Sequence, residues 1–481
     1  MTHARQLIRR IAGNPEEGTA GRKARLAGLI GVPVAGAFLL GVIIGVIGQS
    51  ISAGATFILL AIPVAIAGGL LTGRVVLDGA MQLRGSQKAG WLAEKLEPIS
   101  VVADPDQPAR VEIIHPAVDL KHFFGGFIAV FNLARRLGED GHRVRIVTME
   151  PLELPADWRK RVAAYEGIGN SVEDLEVIDG SDRNVPVRMN PEDRLIATHW
   201  TAAHVASGVA TSLGRDSFTY LIQEYEPLIF PMGSAAALAD QSYELEHTAI
   251  FSTDFLRDYF RDQELGVYRP EGPGEEGTAV FSNAITPAAE VTVGELRGRD
   301  RRRLLFYARP EAHAERNLFE LGVMALDRAV AAGHFKGWDI AGIGNVDGTG
   351  ELVLPRSKAR MRMLPRVAQK EYADTLRLFD VGLALMYTPH PSLVPIEMAA
   401  AGLVTVTNTY ANKDRDSLEA ISTNLIAAEP RIDQIAEALI SAEAMSRDFE
   451  ARVKGSKVDW PDRWDEALDD DTMEQIGHLL D

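Results

Sequence analysis

Apolar and polar positions follow three different patterns along this chain. Residues 1–25 are polar and mostly basic, with Arg5, Arg9, Arg10, Arg22, Lys23 and Arg25 against Glu16 and Glu17. Two uncharged apolar runs follow, 26–48 and 54–73, separated by the break at 49–53. Each run is close to the ~20 residues that cross a hydrocarbon core, so 26–74 is expected to form a two-helix transmembrane hairpin. Basic residues before the first run, and Arg74, Arg84 and Lys88 after the second, place both ends on the cytoplasmic side. Gly41 and Gly45, with Gly68, Gly69 and Gly73, are small residues at spacings that let helices approach, so the hairpin offers a route to a membrane complex or homo-oligomer.

From residue 110 the pattern becomes shorter and alternates. Apolar runs at 111–115, 144–147, 175–178, 194–198, 218–222 and 248–251 read as strands. Between the first two, Phe127, Val130, Phe131, Leu133, Ala134 and Leu137 recur at helical spacing. Strand, Gly125-Gly126 turn, helix, Gly141-His142 stop and strand make a βαβ unit, the first part of a Rossmann-like domain. A second series begins at 303–307 and continues through a helix containing Arg316, Asn317, Leu318 and Leu321. It then runs through a strand at 338–343, a segment at 361–367, a helix at 369–379, a strand at 404–407 and helix at 431–453. The expected organisation is a basic terminus (1–25), hairpin (26–74), connecting region (75–108), N-terminal Rossmann-like domain (109–288), C-terminal Rossmann-like domain (289–445) and closing helices (446–481). The fold class is α/β.

Composition narrows the function. The chain has 481 residues, enough for more than one domain, since single cores stop growing near 250–300 residues. A net charge of −17 argues against nucleic acid as a partner, because phosphate backbones need clustered cations. There are 0 cysteines, which removes disulfides, thiolate metal sites and a cysteine nucleophile. No HExxH, Walker loop or Ser-His-Asp ordering is present, so zincin, P-loop and triad hydrolase readings lack support.

Candidate chemistry concentrates in 380–402, DVGLALMYTPHPSLVPIEMAAAG. A buried strand leads through a Pro-His-Pro turn into a helix beginning at Ser392 and ending at Gly402. Ser is a preferred N-cap, Pro395 is tolerated in the first turn, and Gly suits a helix stop. A helix start at a strand's carboxyl end leaves free N–H groups and the positive end of a dipole, an anion site. Glu397, in the same helix, is placed to accept hydrogen bonds from sugar hydroxyls. His199, after the 194–198 strand, is a candidate for the interdomain cleft. Glu224 and Glu226, in the loop after 218–222, are candidates to orient an acceptor or line a sugar site. Each has a purely structural alternative: packing for the histidine, a hydrogen-bonded loop for the two acids.

Taken in order, certain marks resemble the group-1 (family 4) retaining glycosyltransferases of GT-B fold, with greatest similarity to WsaF-type rhamnosyltransferases. In the first half they are Gly125-Gly126, Leu133-Ala134, Gly141-His142, the run Tyr220 to Glu226 and Pro231 to Ser234. In the second they are Phe306 to Pro310, Arg316-Asn317, Leu364-Pro365 and His390 to Gly402. The resemblance covers 110 to the C-terminus. It implies two Rossmann-like domains facing a cleft, with a nucleotide diphosphate-sugar as substrate, no cofactor and no metal. Arg309 and Arg316 would hold the diphosphate, and amides at Ser392 and Leu393 would add donors. Glu397 would grip the ribose, and Gly126 would let backbone approach the sugar or phosphates. The acceptor would be a surface glycan or a lipid-linked sugar. The pattern departs from the family where Pro389, beside His390, replaces a sugar-facing Glu, which leaves the sugar open. A GT-B nucleotide-sugar epimerase and a non-catalytic scaffold of an export complex are the alternatives.

Overall fold

The computed structural model describes residues 88–480, except 121, 122, 124, 345–349, 366 and 368. The expected hairpin at 26–74 lies outside these residues; among the described ones, no helix is long and apolar enough to cross a membrane. Contacts divide the chain into a unit Met1–Lys95, whose described part is helical from 88, and a second unit Leu96–Asp481.

The second unit holds two seven-stranded sheets. The first half supplies β1 (Val101–Ala103), β2 (Val111–His115), β3 (Val144–Thr148), β4 (Glu176–Asp179) and β5 (Val187–Met189). It continues with β6 (Arg194–Ala197), β7 (Phe218–Ile222), β8 (His247–Phe251) and β9 (Thr278–Val280). Their order β4-β3-β2-β6-β7-β8-β9 is parallel throughout, as the hydrophobic runs require for strands buried on both faces. β1 and β5 form a separate parallel pair, so the 75–108 stretch, expected as a linker, contributes a strand to this half. Helices α1 (Gly125–Glu139) and α2 (Trp200–Ser212) follow β2 and β6.

The second half supplies β10 (Arg303–Tyr307), β11 (Asp339–Ile343), β12 (Gly350–Val353), β13 (Arg360–Met363), β14 (Val381–Leu383), β15 (Val404–Asn408) and β16 (Leu425–Ala428). The order is β12-β13-β11-β10-β14-β15-β16, parallel apart from β12, which runs antiparallel to β13. Helices α3 (Phe319–Ala331), α4 (Leu393–Ala400), α5 (Ile432–Met445) and α6 (Phe449–Gly455) belong here. The helix expected around Arg316 is broken: a 3₁₀ turn, Ala312–Asn317, ends at Leu318 with φ 50°, and α3 starts only afterwards. Likewise 431–453 is two helices, α5 and α6.

α6, assigned by sequence to the closing segment, packs under the second sheet through Arg452. This side chain is buried and reaches Asp380 Oδ1 (2.9 Å) and Gly402 O (2.8 Å). Asp380, fully buried at the amino end of β14, also accepts from Arg299 (2.7 Å), Arg302 (3.2 Å) and the Arg303 N–H (3.0 Å) at the start of β10. After α6 the chain crosses back. The last helices, α7 (Trp464–Ala467) and α8 (Asp470–Leu480), bury Trp464, Leu468, Met473, Ile476 and Leu480 in the core that contains α1.

Both sheets switch direction centrally, between β2 and β6 in the first and between β10 and β14 in the second. In parallel α/β sheets the crevice outside the carboxyl ends at such a point is where ligands sit. Removing the charge that ties β10 to β14 is expected to be severe. Asp380→Asn leaves three buried or half-buried guanidinium groups without their counter-ion, a loss of about 3–5 kcal/mol. Denaturant titration of the variant against wild type measures it, and an unchanged midpoint would show that the cluster is dispensable.

Candidate functional site

At the carboxyl edge of the first sheet, His115 ends β2 with its Nδ1 2.6 Å from Thr198 Oγ1. Burial pushes its pKa down to about 4, so the ring is neutral, and its Nε2 has no hydrogen-bond partner within the protein. α1 begins at Gly125 with no acidic residue in its first turn. The glycine pair is not demanded by strain. A Cβ on Gly126 would meet the Gln223 amide at an ordinary 3.6 Å, and Gln223 Nε2 donates to Gly126 O (3.3 Å).

His199 turns out to be the N-cap of α2. Its Nδ1 accepts from the Thr201 N–H (3.3 Å) and lies 2.8 Å from Thr201 Oγ1. Its Nε2 is 3.6 Å from Glu226 Oε2, which accepts from the Trp200 N–H (2.7 Å). Glu226 therefore accepts from the first free N–H of α2, a structural use of a residue proposed for sugar or acceptor. Burial, with Glu224 nearby, raises its pKa to about 8.

Glu224, two residues earlier, faces the other half. Its Oε2 lies 3.9 Å from Arg316 Nε, and its Oε1 is buried. Burial raises its pKa to about 7, against the pull of Arg316, a hydrogen bond from the Thr388 side chain and the attraction of Lys413.

At the edge of the second sheet, Arg309 leaves β10 and is held by Glu311 (2.9 Å), Tyr307 Oη (3.2 Å) and His313 Nε2 (3.1 Å). Arg316 projects from the 3₁₀ turn, with Nη1 donating to His313 O (3.2 Å). After β14, His390 is buried, and Arg316, Lys413 and desolvation press its pKa down to about 3, desolvation being the largest cause. The neutral ring accepts at Nδ1 from the Ser392 N–H (2.9 Å). That amide, expected to face an anion, is thus engaged in this structure. Ser392 sits at the N-cap with φ 66° and makes no side-chain cap bond. Leu393 opens α4 opposite α1: its Cδ1 is 3.8 Å from where a Gly125 Cβ would stand. Two helix starts, neither with an acid in its first turn, face one crevice.

Glu397 lies deeper. Its Oε1 accepts from the Thr286 N–H (3.0 Å) in the connection between the halves. Burial raises its pKa, opposed by Thr286 and Tyr372. The fold thus brings Arg316, Glu224 and His390 into one cluster and His199 with Glu226 into another, while Arg309 is held by Glu311 and Glu397 by Thr286.

One member of the first cluster escaped the sequence reading. Lys413, in the loop after β15, is fully buried. Its Nζ donates to Met386 O (2.6 Å) and His390 O (3.4 Å), fixing the turn that carries Pro389. Burial brings its pKa down to about 7, against the attraction of Glu224. A Lys next to Asp414 in a polar stretch gives no sign of burial; its place at a strand's carboxyl end was the only available signal.

Two parallel sheets with facing carboxyl edges, and cations at the second switch point, define the GT-B class. Family models bear this out, with the WsaF N-terminal domain matching 110–254 and the WsaF C-terminal domain matching 302–440. The chain belongs to the WsaF-type family of GT-B glycosyltransferases. An O-antigen biosynthesis protein, RfbC, of Myxococcus xanthus is 32% identical over 335 residues, which cover 64% of this chain and 22% of that protein. The chain thus matches about a fifth of that relative's length. Among solved structures, Anabaena HepE in complex with UDP and glucose superposes with a TM-score of 0.52 at 11% identity, over 78% of this chain and 99% of that one. Sucrose-phosphate synthase from Thermosynechococcus elongatus gives 0.50 at 13%, over 77% and 98%. At these identities the likeness is one of fold.

Glu226 gives a pH signature. Its folded pKa, about 8, stands above the ordinary 4.5, so its stabilising contribution is full below the ordinary value and lost as pH rises through 8. Thermal melts from about pH 6 to pH 9 should show wild type losing stability more steeply than Glu226→Gln, which has no proton to release. Parallel pH curves would contradict the assignment.

Proposed function

We propose that this protein is a retaining glycosyltransferase of surface-polysaccharide assembly. It would transfer a sugar from a nucleotide diphosphate donor to a growing glycan or lipid-linked acceptor. The observation that carries the reading is the pair Arg309 and Arg316, which follow the carboxyl end of β10 at the second sheet's switch point. Fixed guanidinium groups there suit a diphosphate, whose negative charge grows as it leaves. The HepE structure holding UDP and glucose, and the O-antigen role in the name of the Myxococcus relative, support a nucleotide-sugar donor and a polysaccharide product.

In this reaction the bond from the anomeric carbon to the diphosphate oxygen breaks, and its electron pair stays with the phosphate. The acceptor oxygen bonds to the same face of that carbon, and its proton passes to the leaving phosphate oxygen. No side-chain nucleophile is needed. The two arginines stabilise the departing charge, so a metal is not required. Glu397 reads the ribose while Thr286 holds one of its oxygens. L-Rhamnose from dTDP-rhamnose is the favoured donor sugar because the turn at Pro389 is proline-rich, like that of WsaF-type members. The uncharged runs at 26–48 and 54–73 would anchor the enzyme in the inner membrane, with the catalytic halves in the cytoplasm where donors are made.

Incubation of purified protein with radiolabelled nucleotide sugars and a lipid-linked acceptor tests the reading; transfer from none of them would sink it. Arg316→Ala is expected to lower kcat by about 10²–10³-fold, as loss of a preorganised donor does, while EDTA leaves the wild-type rate unchanged. Glu397→Gln, which can still accept from Thr286, should weaken binding of nucleoside diphosphate about tenfold at unchanged Tm, as loss of a charged hydrogen-bond acceptor does. Unaltered affinity would remove the ribose role.

A further inference from the structure

Pro389 offers the cleft neither an acid nor an N–H, yet the space beside it is lined by buried polar side chains. Arg316 Nε and Gln223 Oε1 have no hydrogen-bond partner there, while Glu224 and Thr388 hydrogen-bond each other across the cleft. Buried polar groups are nearly always fully hydrogen-bonded, so unpartnered atoms beside this acid at a switch point mark where a polar ligand completes the set. The lining side chains come from both halves: Gln223 and Glu224 follow β7, Arg316 follows β10, and Thr388 follows β14.

The charges decide which part of a ligand fits. A carboxylate repels a diphosphate and accepts from hydroxyl donors, so Glu224 cannot serve the phosphate end. Its Oε2, 3.9 Å from Arg316 Nε, is anchored by a cation that the donor-site reading assigns to the diphosphate, so Oε1 stands beside the position of the next chemical group, the transferred sugar. Lys413 supports this arrangement. Its ammonium is fully buried, holds Met386 O and His390 O on either side of Thr388-Pro389, and attracts Glu224. A lysine kept wholly out of water is costly unless its charge is paired and its protons donated.

Resting on that donor-site reading, we infer that Glu224, contributed by the first half, is the hydrogen-bond acceptor for a hydroxyl of the donor sugar, with Lys413 as the positioning residue that sets the facing turn. The sugar is then read by a residue of one half while its diphosphate is held by the other. Donor-sugar specificity depends on the two halves being in register. At neutral pH burial leaves the Glu224 carboxyl near its titration midpoint, about 7, so sugar recognition gains strength as pH rises and the carboxylate form fills.

The test compares UDP and dTDP with UDP-glucose and dTDP-rhamnose by calorimetric titration of the full-length protein, its Glu224→Gln and Glu224→Ala variants, and Lys413→Met. In the Glu224 variants both nucleoside diphosphates should bind as in wild type or more tightly, since a carboxylate near Arg316 has been neutralised; this also certifies the fold. The extra affinity that the sugar confers should fall about tenfold or more, the effect of losing a hydrogen bond to a charged group. The wild-type gain of that increment between about pH 6 and pH 8 should vanish in Glu224→Gln. Lys413→Met should reduce the sugar increment and move its pH rise upward, a shift that mere loosening of the turn would not produce. Parallel losses for nucleotide and nucleotide sugar would overturn the assignment, as would an intact sugar increment. Failure of wild type to bind any nucleotide would instead overturn the donor-site reading on which it rests.

Discussion

The second half of this protein is built upon a carboxylate that never meets solvent. Asp380 draws Arg299 and Arg302 from the approach to β10 and Arg452 from α6, while its second oxygen takes the Arg303 N–H. Charges this deep are tolerated only when paired and fully hydrogen-bonded. Burial, with Arg299 and Arg302 adding repulsion against the pull of Asp380, brings even Arg452 down to about 10. The result is a rivet at the amino ends of β10 and β14, directly beneath the gap at their carboxyl ends. Everything the site needs from the second half grows from those two strands and β15: Arg309 and Arg316 beyond β10, the His390–Leu393 turn beyond β14, and Lys413 beyond β15.

Above the rivet the electrostatics are less settled. Glu224 and Lys413 both have pKa values near neutrality, pushed there from opposite directions by the same burial. His390 is held neutral between two cations and spends its Nδ1 on an amide that sequence reasoning had offered to a phosphate. Perturbed groups of opposite type gathered at a switch point are a mark of function rather than of stability.

How much of this was legible depends on whether the signal was local. Strands β2, β7 and β10 were readable to the residue, because buried parallel strands are uninterrupted apolar runs. β12 and β16 were not: the first is a polar edge strand, and the second is a short Leu-Ile-Ala-Ala run indistinguishable from helix. The break after Arg316 was missed because a left-handed Leu318 has no sequence mark, unlike a glycine there. Among site residues, Arg309 and Arg316 came from the family resemblance and Glu397 from its place in the helix after β14; the two arginines follow β10, and Glu397 is held by Thr286. His199 and Glu226 lay where expected but pair with each other at the head of α2, a contact across 27 positions that no motif encodes. Lys413 was invisible because burial is a property of the fold, and its neighbours in sequence are polar.

The chain passes between its halves twice, near 285 and again between α6 and α7, and the two passages are stitched together. The Ile285 N–H donates to Pro461 O (3.0 Å), and the Trp460 indole donates to Asn283 O (2.9 Å). Paired tethers confine the connection between the halves to one line, with Asn412 Nδ2 donating to Phe255 O (2.8 Å) as a further link between them. Glu397 grips Thr286, one residue from the first tether. The one carboxylate of α4 is thus tied to the connection between the halves, so a change at Glu397 is felt at the crossing and not only within its own sheet.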